Sequence, residues 1–82
     1  MTRTLCKLVI PGYGTYMLVD HEVAIFRYAA LGYTSDEIAP LLGITNRTVE
    51  AWRTHLMGKL QITTRRELVQ MAIAAGVFRE EL

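Results

Sequence analysis

Residues 34–60, TSDEIAPLLGITNRTVEAWRTHLMGKL, decide how this chain folds. Thr34-Ser35-Asp36-Glu37 has the form of a capping box: the Thr34 hydroxyl accepts from the amide of Glu37, and the Glu37 carboxylate reaches back to the amide of Thr34. Two acids in the first turn suit the positive end of a helix dipole. Ile38, Leu41 and Leu42 are expected as the buried face of this short second helix, and Gly43 ends it. After the tight Gly43-Ile44-Thr45 connection, Thr45 is the cap of a longer helix from about Asn46 to Leu60. Its apolar positions, Val49, Trp52, Leu56 and Leu60, repeat every three or four residues. The opposite side carries Arg47, Glu50, Ala51, Thr54 and Gly58. A capped short helix, a glycine-opened turn and a longer two-faced helix form the pattern of a helix-turn-helix.

Outward from this unit the pattern stays helical on both sides. From Asp20, the residues Val23, Phe26, Arg27, Ala30 and Leu31 predict one stripe through a first helix that stops at Gly32. A fourth helix is expected over roughly 64–75, with Leu68, Val69, Met71, Ala72 and Ile73, and Gly76 at its end. Residues 1–17 differ: two β-branched, apolar runs flank Pro11-Gly12-Tyr13-Gly14, which reads as a hairpin or a loosely packed arm. The expected fold is therefore an all-α, compact four-helix domain over residues 18–82, preceded by a short extended arm or hairpin over 1–17.

Composition narrows the function. At 82 residues, 51% hydrophobic, the chain holds one domain near the lower size limit for independent folding. Its apolar runs are too short to span a membrane, and Leu8-Val9-Ile10 is too short for a secretory signal. Cys6 is the single cysteine, so there is no internal disulfide and no zinc cluster; a cytoplasmic protein is expected. His21 and His55 lack partners at ligand spacing. No phosphate loop, nucleophile motif or paired catalytic carboxylates appear, so neither an enzyme nor a cofactor or small-molecule ligand is expected. Net charge is only +1, but residues 44–66 hold five basic residues against Glu50 alone, and the rest holds four basic against seven acidic. Basic charge concentrated beside a helix whose polar face projects outward suits double-stranded DNA, because an α-helix fits the major groove.

The residues themselves add a resemblance. Leu18 with Glu22; Ala30, Gly32, Thr34, Glu37, Ile38 and Ala39; Leu42-Gly43-Ile44-Thr45; Thr48-Val49-Glu50 with Trp52-Arg53; Lys59-Leu60; Arg65 with Glu67-Leu68-Val69; and Ala75-Gly76 occur in order. Over residues 18–78 the chain closely resembles the LuxR/NarL/GerE-type DNA-binding domain of bacterial transcription factors. The resemblance implies that the third helix enters the major groove with Glu50, Ala51 and Thr54 facing bases. It places Arg47, Thr48, Arg53 and Lys59 near phosphates, helped by Thr34 and Ser35. It also implies that the fourth helix forms a dimer contact. The chain departs from the family at Val19, which lacks a capping side chain and leaves Asp20 to take over. It departs also at Pro40 inside the second helix, where a kink or shortening is expected, at Trp52 in place of a common His, and at Gln61 in place of a common Gly. Glu50 facing DNA favours a cytosine amino group and repels the backbone.

Some residues have two readings. Trp52 is in phase with Val49 and Leu56 and is expected in the core rather than stacked on a base. Arg53 pairs with Glu37 or Asp36, or contacts phosphate; Arg65 anchors the fourth helix through an acid such as Glu22, or does not. The fourth helix is more apolar than one buried face requires, so Leu68, Val69, Ala72, Ile73, Ala75 and Gly76 are the candidate dimerisation residues, giving a homodimer on a near-palindromic site. The leading function is a stand-alone transcriptional regulator; with only about seventeen residues ahead of the module, no phosphorylation or ligand-sensing domain is expected. The alternative is an interaction protein that pairs with a full-length relative and blocks it, with residues 1–17 a candidate surface for that partner. A sigma-factor-like promoter reader is disfavoured by the fourth helix.

Overall fold

A computed structural model describes residues 5–76 of the 82-residue chain. The outer ends of both expected segments, residues 1–4 and 77–82, lie outside the described residues, including the last positions of the family resemblance. Two strands, β1 (Leu5–Ile10) and β2 (Gly14–Val19), precede four helices: α1 (Asp20–Ala30), α2 (Ser35–Leu42), α3 (Asn46–Leu60) and α4 (Arg65–Ala75).

The arm is a hairpin. β1 and β2 pair antiparallel from Leu5 opposite Val19 to Ile10 opposite Gly14. Strand alternation sends Ile10 and Leu18 into the same buried core as Ile25, Phe26, Val49, Leu56 and Met71, so the hairpin leans on α1 and α4 as a two-stranded ribbon must. β2 runs directly into α1, and the expected boundary after residue 17 falls inside that strand.

Local chemistry sets the helix ends. Thr34 accepts from the amide of Glu37 at 3.3 Å and donates its own amide to the Glu37 carboxylate at 2.9 Å, the reciprocal box of α2. Thr64 and Glu67 repeat it at α4, and Thr45 caps α3 through the amide of Thr48. The turn between α2 and α3 closes with Gly43 at φ +69°, the Gly43 amide bonding Pro40 O and the Ile44 amide bonding Ala39 O. α2 is short, but it continues through Pro40 to Leu42.

Three expectations are corrected. Leu41 is 53% exposed, because α2 meets α3 along Ile38 and Ala39, with Leu42 half-buried, and Leu41 lies on the flank of that line. The buried stripe of α1 is Glu22, Ile25, Phe26, Ala29 and Ala30; Leu31 is exposed, and Val23 and Arg27 are half-buried. Apolar residues occupy most of the α1 circumference, so periodicity did not choose the inward line; packing against α3, α4 and the hairpin did. Asp20 is not the cap of α1. Val19 holds that position without a side-chain acceptor, and Asp20 bonds the amide of His21.

Candidate nucleic-acid interface

α3 is held along Val49, Leu56 and Leu60, all buried, with Trp52 half-buried at the edge of the core. The Trp52 ring stacks on His21 of α1 with centroids 3.8 Å apart, so it stays within the protein as expected. The opposite face is open: Arg47, Glu50, Ala51, Thr54 and Gly58 are all exposed. The Thr54 hydroxyl donates to the Glu50 carbonyl at 3.0 Å. Thr48 is half-buried, its hydroxyl 2.9 Å from that of Thr45. Asn46 ties the start of α3 to Asp36 on α2 by a side-chain hydrogen bond, which fixes how the two helices of the motif meet.

Beside this face lies a cleft of about 290 Å³ lined by residues from α2, α3 and α4. Thr34, Ser35 and Asp36 bring the first turn of α2 to it, Asn46, Glu50 and Arg53 come from α3, and Arg65 from the start of α4. Ser35 is buried; Thr34 is exposed, with its hydroxyl in the capping box. Arg53 is half-buried and Arg65 exposed, and neither makes an ion pair or hydrogen bond among the described residues. The alternatives left open for Arg53 therefore resolve away from Glu37 and Asp36, and Arg65 does not pair with Glu22.

Glu22 instead faces Lys59. Its carboxylate, in a residue only 4% exposed, accepts from Lys59 Nζ at 2.9 and 3.1 Å and from the Val19 amide at 2.9 Å. Lys59 also donates to Met17 O at 3.2 Å, and His55 Nε2 lies 3.6 Å from the same carboxylate. Burial by itself would push the Glu22 carboxyl up; the Lys59 ammonium and the Val19 amide outweigh it and hold it below the usual glutamate range. Lys59, counted with the phosphate contacts on the resemblance, thus has its three N–H donors matched inside the chain. Nothing in the local sequence marked this pair: Glu22 lies on α1 and Lys59 near the end of α3, 37 residues apart in the chain.

Residues 17–72 match the GerE family, bacterial regulatory proteins of the luxR family. The chain belongs to that family. It is 40% identical over 57 residues to the oxygen regulatory protein NreC of Staphylococcus carnosus strain TM300, and likewise to NreC of Staphylococcus aureus strains JH9 and JH1. The match covers 70% of this chain and 26% of each relative, so the chain spans about a quarter of the length of the curated relatives it matches. No solved structure matches it significantly. The luxR-type helix-turn-helix is a DNA-binding module of bacterial transcriptional regulation, not an enzyme. No helix among the described residues is long and apolar enough to cross a membrane.

In this luxR-family domain α4 divides its apolar residues between two sides. Leu68 and Ala72, expected with the dimerisation residues, are enclosed by the chain's own core together with Met71. Ile73 is 61% exposed, and Val69, Ala75 and Gly76 are half-buried. The helical period puts Val69, Ile73 and Gly76 on the outward side.

Proposed function

We propose that α3 enters the major groove and reads base edges with Glu50, Ala51 and Thr54, while Arg47, Thr48 and Arg53 approach phosphates together with the first turn of α2 at Thr34 and Ser35. Lys59 contributes from behind, holding the end of α3 to α1. The observation that supports this most is the contrast across α3: one side anchored in the core, the other free of any covering chain. Two copies pair through the outward side of α4, at Val69 and Ile73 with the small Ala75 and Gly76 beside them. They address half-sites about one DNA turn apart. The protein then acts as a sequence-specific transcriptional regulator.

Selection of bound duplexes from a random pool, followed by titration of the recovered site at several salt concentrations, tests the reading. The expected result is one enriched motif with two-fold symmetry and an affinity that falls steeply with salt. Failure to enrich any sequence overturns it. A second reading is favoured by Glu50 at the centre of the open face and by the exposed Leu5, Val9 and Met17 on the outer side of the hairpin. In it the chain pairs with a full-length relative and blocks it without touching DNA; co-sedimentation with such a relative, and no binding to duplex, would favour it.

A further inference from the structure

We infer that the cleft at the start of α2 is a built site for one phosphodiester of the DNA backbone, and that Arg65 of α4 is one of its ligands. The inference rests on the proposed DNA-binding reading and extends it to the fourth helix. Three features converge. The amides of Ser35 and Asp36 open α2, an eight-residue helix, and the capping box uses the amide of Glu37 only, so two N–H groups stay free at the positive end of the helix. Arg53 and Arg65 bring two guanidinium groups from different helices to the same cleft, each without a partner among the described residues. Ser35, 8% exposed, lines the cleft, and its hydroxyl has no hydrogen-bond partner there. No wholly buried side-chain oxygen is left unpartnered among the described residues, so the small exposure of Ser35 includes its hydroxyl, which opens into the cleft. A hydroxyl that opens into the cleft with no partner from the chain keeps its donor and acceptor sites for a ligand there.

The chemistry shared by these groups is recognition of a tetrahedral oxyanion: planar guanidinium forks, a hydroxyl and helix-end amides all donate. Arg65 is brought into range by the tight turn after α1. Gly32 has φ +99°, and a Cβ there would lie 3.2 Å from Arg65 Nη2, so the guanidinium rests where any other residue would place a side chain. Asp36 and Glu50 line the cleft as well, with Asp36 already bonded by Asn46. Their two charges offset the two arginines, so phosphate taken alone from solution binds the cleft weakly and is seen in a titration carried to high concentration. A singly charged phosphodiester already held close by α3 in the neighbouring groove enters at high effective concentration. The consequence is that the start of α4, the helix proposed for pairing, is tied to the same phosphate as α2 and α3.

Fluorescence anisotropy with a labelled duplex, across a salt series, tests this with Arg65→Gln, Ser35→Ala and Arg66→Gln, the last removing the adjacent exposed cation outside the cleft. Thermal unfolding midpoints verify that each variant folds. Arg65→Gln is expected to weaken binding about tenfold and to lower the slope of log affinity against log salt by about one. Ser35→Ala weakens binding less, and Arg66→Gln leaves both quantities unchanged. Amide chemical-shift titration with inorganic phosphate separates the two sources of the anion: shifts at Ser35 and Asp36 that vanish in Arg65→Gln support the cleft even if wild-type protein binds no duplex, which would sink only the DNA reading. Equal behaviour of Arg65→Gln and Arg66→Gln, while Arg53→Ala still weakens binding, overturns the inference and leaves DNA binding standing. So does a phosphate titration that shifts neither amide, or shifts them equally in Arg65→Gln.

Discussion

Lys59 and Arg53 share α3 and are both half-buried, yet the Lys59 ammonium donates three hydrogen bonds within the chain and the Arg53 guanidinium donates none among the described residues. Around Lys59, the hairpin contributes the Met17 carbonyl, and α1 contributes a carboxylate that burial would otherwise penalise. Around Arg53, two other helices contribute a second cation, a nearly buried hydroxyl and the positive end of a helix. A cation beside an enclosed anion is structural, because removing it strands a charge. On the proposed reading Arg53, which has no partner among the described residues although Asp36 and Glu50 line the same cleft, takes its anion from DNA. The same helix therefore carries its fold-holding charge and its ligand-seeking charge on different flanks.

The largest way to break this contrast is Lys59→Met. It leaves Glu22 enclosed without its ammonium and is expected to cost about 2–3 kcal/mol in urea unfolding, below the value for a fully buried pair because Lys59 is partly solvated. A loss under about 0.5 kcal/mol would show that the pair is surface decoration. Arg53→Ala is the mirror experiment: stability within about 0.5 kcal/mol of wild type, but DNA affinity down about tenfold on every sequence, read by anisotropy. If Arg53→Ala unfolds the domain more than Lys59→Met does, the assignment of roles is reversed.

Acid titration sharpens the same point. The Glu22 carboxyl is lowered in the folded chain, so its contribution to stability is complete above the ordinary glutamate value, about 4.3, and is lost as pH falls through the lowered value. Glu67, lowered by the amides of Thr63 and Thr64, titrates in the same direction. The difference between wild type and Lys59→Met isolates Glu22. That gap should narrow as pH falls toward and through the lowered Glu22 value, because Glu22 without the ammonium protonates first and a protonated Glu22 no longer needs one. A gap that stays constant from neutral pH to acid would remove Glu22 from the account.

The smallest effects lie at the two ends of the Lys59 junction. Val19 opens α1 without an acceptor while Glu22 completes only its half of the box. Val19→Thr should add about 0.5–1 kcal/mol by supplying the missing oxygen at nearly constant volume. Gln61, just past α3, is the one non-glycine residue at positive φ among the described residues, at +60°. Gln61→Gly should stabilise by about 0.5 kcal/mol, the relief of left-handed strain being partly offset by a more flexible unfolded chain. Denaturant midpoints distinguish both from zero, and a destabilised Gln61→Gly would mean that its side chain makes a contact worth more than the strain.

Much of the candidate interface's geometry was readable before any coordinates. The phase of Val49, Trp52 and Leu56 dictates that Arg47, Glu50, Ala51 and Thr54 share the other side of α3, and Thr34 with Glu37 announces where α2 begins. What misled was redundancy. α1, α2 and α4 have apolar residues on more than one side, so Leu31 and Leu41 looked inward, and Leu68 and Ala72 were counted with the candidate pairing residues. Ser35 was expected with Thr34 beside phosphates at the start of α2, and nothing in its spacing marked it as nearly enclosed.

By itself, then, the amino-acid order determined the helices, their caps, the glycine turn and the face of α3 that points away from the core. All of these follow from hydrogen bonds and side-chain periods that span a few residues. Only the tertiary structure decided that Lys59 meets Glu22, that Arg65 joins Arg53 over the start of α2, and which side of α4 is left uncovered. Those outcomes depend on how helices distant in the chain cross one another. A charge finds its partner by proximity in space, and no local pattern encodes that distance.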